Sequence, residues 1–316
     1  MKNDNYLIYF CILFISFTPL KSSDNYDIKH LEPPFWWTQM FNTKLQLMVH
    51  GDNISELKPQ ISYPGVSIPA VHRVTNPNYL FIDILIDKNT IAGDFMIGFT
   101  KNDQIVLKHT YSLLERVDNS AKRNSFSSSD VIYLITADRF ANGDPENDST
   151  PNLKEKVNRK NKDGRHGGDI QGIIDHLDYI EEMGFTQIWL NPMLENNHAK
   201  YSYHGYSTTD YYNIDERFGG NSLYKLLSEE AHKRGIGIIK DIVLNHCGSE
   251  HWWMQDLPSK DWINNEGNFQ QTSHNRVSIH DIHTTHSETS NFVDGWFVPT
   301  MPDLNHKNVF MATYLI

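Results

Sequence analysis

Cysteine is almost missing from this sequence. Only Cys11 and Cys247 occur in 316 residues, too few for a disulfide-stapled scaffold. Basic charge is also in deficit: 28 Lys and Arg stand against 39 Asp and Glu, a formal charge of −11. That argues against nucleic acid as a partner, because such binders present a basic surface. Long hydrophobic runs are lacking too. The stretch 6–17 (YLIYFCILFISF) has 12 residues, short of the about 20 that span a bilayer, and no second stretch comes closer. Lying between Lys2 and Ser22-Ser23, it reads as a cleaved secretory signal over residues 1–23; an uncleaved anchor is the other reading. The protein is therefore expected to be secreted or periplasmic, with no integral span after cleavage. Cys247 would remain alone, so folding after export would not rely on disulfides.

Aromatics, by contrast, are plentiful at 12%, with 7 Trp, 15 Tyr and 16 Phe, so the chain should bury a core rather than stay disordered. Residues 24–117 read as all-β. Short apolar runs at 45–49, 61–63, 66–74, 79–86, 95–99 and 106–114 end at turn clusters such as His50-Gly51-Asp52-Asn53 and Pro64-Gly65, with Pro69 breaking the third. Regular short strands of this kind predict a β-sandwich. The Ser-rich, polar stretch 118–129 is a linker.

From Asp130 the pattern changes to alternating strand and helix. VIYLI (131–135) predicts a buried strand. Ile170, Ile173, Ile174, Leu177 and Ile180 mark one helix face, stopped at Gly184. IWL (188–190), a helix over 222–234 and an apolar strand over 236–244 follow. Such units predict a parallel sheet with its chemistry at the strands' C-terminal ends. A closed eightfold barrel needs about 250 residues. After three strands comes a loop-rich insertion at about 245–299, and the chain closes on VFMATYLI. The sequence is therefore expected to be a fragment.

Four segments converge in residues 130–316: GFTQIWLNP (184–192), YHGYSTTDYYNIDERFG (203–219), DIVLNH (241–246) and MPDLN (301–305). In this order they resemble the alpha-amylase superfamily of glycoside hydrolases, and MPDLN resembles its neopullulanase and cyclomaltodextrinase branch. EPPFWW (32–37), LQLMVHG (45–51), YPGV (63–66) and NPNYLFIDI (76–84) resemble the immunoglobulin-like N-terminal domain of cyclomaltodextrinases. The resemblance implies a retaining glycosidase on a (β/α)8 barrel, acting on α-1,4-linked glucans: maltooligosaccharides, cyclodextrins or pullulan. Its nucleophile Asp, acid/base Glu and stabilising Asp follow strands 4, 5 and 7, which the reading places beyond Ile316. No catalytic carboxylate is therefore assigned within the chain, which is expected to be inactive alone. A non-catalytic glucan-binding remnant is the alternative. Pairing of relatives through the N-terminal domain implies a possible homodimer.

By the same resemblance, Tyr206 stacks on the sugar beside the scissile bond, offering an aromatic face to its C–H surface. His246 donates to a hydroxyl of that sugar, His204 supports the loop, and Asp241 holds an arginine that this chain lacks, leaving an unpaired carboxylate. Asn245 stands at a calcium ligand of other amylases, where Asn305 replaces an Asp.

The run DRFANGDPENDS (138–149) puts oxygen side chains at Asn142, Asp144, Asn147 and Asp148. Calcium takes six to eight oxygens on a flexible loop, although a solvated acidic turn would look the same. The resemblance adds a calcium site of this spacing, completed by the Gly167 carbonyl and Asp169. His280, His283 and His286 have an HxxHxxH spacing but loop-like surroundings, so zinc is a weak reading. Trp252, Trp253 and Trp262 either line acceptor subsites or form the insertion's core.

Overall fold

The computed structural model describes residues 26–123 and 125–316; the expected signal segment, with Cys11, lies outside them. The first eight strands are β1 (His30–Glu32), β2 (Phe35–Trp37), β3 (Lys44–His50), β4 (Lys58–Ile61), β5 (Val66–Arg73), β6 (Tyr79–Ile86), β7 (Gly93–Lys101) and β8 (Gln104–Leu114). They form two four-stranded sheets, ordered β1-β3-β6-β5 and β2-β8-β7-β4. The chain changes sheets at Pro33-Pro34, where neither residue can donate to a ladder. Alternate residues of both sheets meet in one core: Leu47, Val49, Leu80 and Ile82 from the first, Ile97, Phe99, Tyr111 and Leu113 from the second. Pro69 does not break its strand as expected. Instead β5 shifts register against β6 between Ser67 and Ala70. β5 is an edge strand, where a missing N–H is tolerated.

The second unit is built on β9 (Ile132–Ile135), β10 (Gln187–Leu190) and β13 (Gly237–Lys240), parallel and ordered β13-β10-β9. The helix expected from residue 170 is two pieces, α1 (Ile170–Ile174) and α2 (Leu177–Glu182). His176 causes the break. Its ring Nδ1 bonds the Gly172 carbonyl at 2.7 Å, while its backbone N–H turns to Ile173. β11 (Leu194–Glu195) and β12 (Asp210–Ile214) form a ribbon before α3 (Gly220–Lys233), and α3 ends two residues before Gly235, at φ 71°.

One face of the parallel sheet is covered by helices: Ile135, Ile188 and Leu190 are buried with Ile173, Ile180, Leu227 and Ala231. The other face is open. Ile132, Leu134 and Trp189 are exposed, so the strand expected to be buried is buried on one side only. The third strand is shorter than its apolar run, and Ile242 and Leu244 beyond it are exposed.

Residues 245–308 are mostly turns, with one helix, α4 (His286–Val293), before α5 (Val309–Leu315). They lie against the first unit. Trp253, Trp262, Trp296 and Met311 share a core with Met48, Tyr79 and Phe81 of β3 and β6. Asp256 ties the same contact, its carboxylate accepting from Asn78 Nδ2 at 2.8 Å, His50 Nε2 at 2.9 Å and the Asn76 amide. The three sequence-noted tryptophans thus serve this joint: Trp253 and Trp262 are fully buried, and Trp252 stacks on His30 at 3.9 Å. Among the described residues no helix is long and apolar enough to cross a membrane.

Candidate functional site

At the C-terminal ends of β10 and β13, three side chains gather around Tyr206. Its backbone N–H donates to His204 Nδ1 at 2.9 Å, its carbonyl oxygen accepts from His246 Nε2 at 2.9 Å, and its hydroxyl donates to Asp241 Oδ2 at 3.2 Å. A short 3-10 turn at Ser202–His204, closed by Gly205 at φ 79°, brings the His204 ring beside that of Tyr206, centroids 5.8 Å apart and tilted by 37°. An added Cβ at Gly205 would meet the Pro192 carbonyl oxygen at 1.8 Å, so the loop approaches β10's end only because that side chain is absent.

Among the described residues no cation pairs with Asp241, but neutral donors reach it. Besides the Tyr206 hydroxyl it accepts from Trp189 Nε1 at 3.3 Å. Both donors reach it because Asp241 immediately follows β13 and Trp189 lies on the open face of β10. Burial, then the Asp241 charge, raises the Tyr206 phenol above its ordinary pKa. Burial lowers the His204 and His246 imidazoles, so both stay neutral and keep defined tautomers. His246 must carry its proton on Nε2, since a carbonyl only accepts, and its Nδ1 accepts from Asn245 Nδ2 at 3.2 Å. Both ring nitrogens are therefore used within the protein. To meet a sugar hydroxyl, His246 would exchange its Tyr206 carbonyl for the ligand.

Asp303 was missed as a site residue. MPDLN runs back along residues 245–247, bridging His246 to Asp303, with Leu304 N–H donating to the Asn245 carbonyl at 2.9 Å. The Asp303 carboxylate is buried, which pushes its pKa up to about 6 against the amides of Asn264 at 2.8 Å and Asn245 at 3.1 Å. A single acid between the apolar Pro302 and Leu304 was the available signal. Asn245 thus supports Asp303 and His246, and Asn305 donates to the Asp261 carbonyl.

The loop after β9 brings its expected residues together. Asp169 caps α1: Oδ1 accepts from Gly172 N at 2.7 Å and Gly143 N at 3.0 Å, and Oδ2 from Asp144 N at 2.9 Å and Asn147 Nδ2 at 3.0 Å. Asp148 accepts from Asn142 Nδ2 and Arg159 Nη2, each at 2.7 Å. Gly167, at φ 86°, lies so near that a Cβ would come within 1.9 Å of Asp148 Oδ1. Asp144 closes an Asx turn onto Glu146 N. Most of the acidic oxygens are met by N–H groups, as in a capped turn. One oxygen, Asn147 Oδ1, is buried without a partner; an orphaned hard donor of that kind fits calcium. His280, His283 and His286 are exposed, and among the described residues no three His, Cys, Asp or Glu side chains group as a metal site, Asp144, Asp148 and Asp169 of this loop included, so the loop's fit to calcium rests on the orphaned Asn147 oxygen.

Comparison with known proteins matches residues 134–315, more than half of the chain, to "Alpha amylase, catalytic domain", and residues 30–117 to "Cyclomaltodextrinase, N-terminal". The chain is 37% identical over 188 residues to neopullulanase 2 of Thermoactinomyces vulgaris, covering 58% of this chain and 30% of that protein. It is 39% identical over 146 residues to a cyclomaltodextrinase of Thermoanaerobacter pseudethanolicus, covering 44% and 25%. To the periplasmic alpha-amylase of Escherichia coli it is 33% identical over 174 residues, covering 48% and 25%. The chain thus spans 25–30% of the length of these relatives.

Proposed function

The chain belongs to the alpha-amylase family, and from that premise we propose that it carries the sugar-binding wall of a retaining glycoside hydrolase acting on α-1,4-glucosidic bonds of maltooligosaccharides, cyclodextrins or pullulan. The observation that carries this reading is the network around Tyr206. An aromatic face framed by His204, His246 and Asp241 offers an apolar platform and a polar rim, the two surfaces a pyranose presents in reverse. In this reading Tyr206 covers the sugar's C–H face and His246, neutral through burial, orients one hydroxyl. Asp241 fixes the ring's angle through the Tyr206 hydroxyl.

Retention requires a nucleophilic carboxylate and an acid/base carboxyl about 5–5.5 Å apart. Asp241, committed to two donors, suits positioning. We assign both catalytic carboxylates outside these 316 residues, so the chain alone binds glucan without cleaving it. The two N-terminal sheets support an immunoglobulin-like sandwich, and residues 245–299 an insertion after the third barrel strand. Calcium is proposed on Asn142, Asp144, Asn147, Asp148, Asp169 and the Gly167 carbonyl, where it would brace the loop against α1 and take no part in bond cleavage. Secretion or a periplasmic place, and pairing through the N-terminal sheets, complete the proposal.

Calorimetric titration with maltoheptaose, beside a reducing-end assay, tests it. Binding that Tyr206→Ala weakens at least tenfold, without product, is expected. Absence of binding, or cleavage by the chain alone, would overturn the corresponding half.

A further inference from the structure

Asn245 stands between Asp303 and His246, and one nitrogen of its side chain serves both. Its Nδ2 donates to Asp303 Oδ1 at 3.1 Å and to His246 Nδ1 at 3.2 Å. An amide nitrogen has two hydrogens, so each acceptor takes one. Turned over, the amide would set its oxygen against Asp303 Oδ1, two acceptors with no proton between them. Asp303 therefore decides which way the Asn245 amide points. The amide in turn decides which nitrogen of His246 stays bare.

The backbone holds these three residues in register. Cys247 N–H donates to the Pro302 carbonyl at 3.1 Å, Leu304 N–H to that of Asn245 at 2.9 Å, and Asn264 N–H to that of Asp303 at 2.9 Å. Asp303 is 4% exposed, and its other oxygen accepts from Asn264 Nδ2 at 2.8 Å. Both carboxylate oxygens thus accept, each from a different amide, as an ionised carboxylate does.

In the free chain the Tyr206 carbonyl also keeps the His246 proton on Nε2. That second constraint ends once a sugar hydroxyl takes the carbonyl's place. A hydroxyl donates and accepts equally well, so it suits either tautomer. We infer that Asp303 is a positioning residue for sugar binding: through the Asn245 amide it holds the His246 proton on Nε2, so that the imidazole donates to the sugar and does not accept from it. The inference rests on the glucan reading above and adds to it the residue that sets the direction of this hydrogen bond.

The test reads the His246 ring by nitrogen NMR of the full chain labelled in its histidines, at about pH 8, where an ordinary histidine is neutral. His246→Gln assigns the signal. In wild type, Nδ1 should be bare and Nε2 protonated, with and without maltoheptaose. Asp303→Ala should keep that state when free, through the Tyr206 carbonyl. Bound to maltoheptaose, it should show a mixture of both tautomers and an affinity roughly two- to tenfold lower, the range one loosened neutral hydrogen bond spans. Asp303→Asn joined with Asn245→Asp exchanges carboxylate and amide in place and needs no sugar. A carboxylate then faces Nδ1, which should carry a proton even in the free chain, so the relay stays testable if Asp303→Ala fails to fold. A single wild-type tautomer in sugar-bound Asp303→Ala, or a bare Nδ1 in the exchanged variant, overturns the positioning role and leaves the glucan reading standing. No binding of maltoheptaose by wild type overturns the glucan reading, and the sugar-directed role with it.

Discussion

The carbonyl oxygen of Tyr206 and Nε2 of His246 are 2.9 Å apart, so the stacking ring and the imidazole beside it are joined through the backbone. The bond fixes the tautomer of His246 and the height of the Tyr206 loop above the strand ends. Replacing His246 therefore changes both a potential ligand contact and the platform. His246→Ala should weaken maltoheptaose binding about tenfold, the loss of one or two hydrogen bonds. His246→Gln, which can donate from its amide to the Tyr206 carbonyl, should recover part of it. Calorimetry on both variants checks this; wild-type affinity in His246→Ala would confine the residue to a structural role.

Acid should destabilise the protein through its buried histidines. His251 is the extreme case, driven by burial from 6.5 down to about 3, while His50, His198, His204 and His246 are also lowered by burial. A depressed histidine binds fewer protons folded than unfolded. Stability from its neutral form is therefore complete above pH 6.5 and is lost as pH falls toward the folded value. Asp303, raised to about 6, acts in the opposite sense between its ordinary 3.8 and that value, as does Glu195, raised by burial, but these are two groups against the five histidines and His109, which burial also lowers. Melting temperature should fall from pH 7 to pH 5. His251 Nδ1 accepts from Trp253 N–H at the start of a turn, a cap that Asn also provides. His251→Asn should therefore flatten the pH profile, read by thermal melts at half-unit intervals.

Calcium should raise the melting temperature relative to EDTA by several degrees, since an ion at about 100 times its Kd adds about 2.7 kcal/mol and each 1 kcal/mol is about 2–4 °C for a domain of 150–250 residues. Asn147→Ala removes the orphaned buried oxygen and should abolish the response, as should Asp144→Ala. Equal melting in calcium and EDTA would reject the site.

Asp256 links the two units through Asn76, Asn78 and His50. Its Ala variant leaves Asn78 and His50 without this acceptor, while the Asn76 amide keeps the Leu257 carbonyl, and the site is partly open to water, which moderates the loss. Destabilisation of about 2 kcal/mol is expected, seen as a lower denaturant midpoint with an unchanged slope. A changed slope would mean that the units part before they unfold.

Much of the fold was legible because its signals are local. Turn clusters at 50–53 and 64–65 bounded real strands, and Gly235 stopped a real helix. The break at His176 was not legible, because a side chain replaces a backbone donor there without disturbing the apolar spacing. Nor was the exposure of Leu134 and Trp189, since an apolar run does not say how many of its faces are covered. Of the candidate site, Tyr206, His204, His246 and Asp241 were named from motifs and do converge. The Trp189 bond to Asp241 and the burial of Asp303 depend on contacts between distant segments, which no window of sequence contains.

The core shared by Phe81, Trp262 and Trp296 also bears on how such proteins are assembled by recombination. The N-terminal sheets look like an interchangeable module, bounded by a linker. Cut at that linker, however, they would bare Met48, Tyr79 and Phe81, and the remainder would bare three tryptophans. A gene that exchanged this module for another would need a replacement offering the same aromatic socket, so the two parts are constrained to be inherited together.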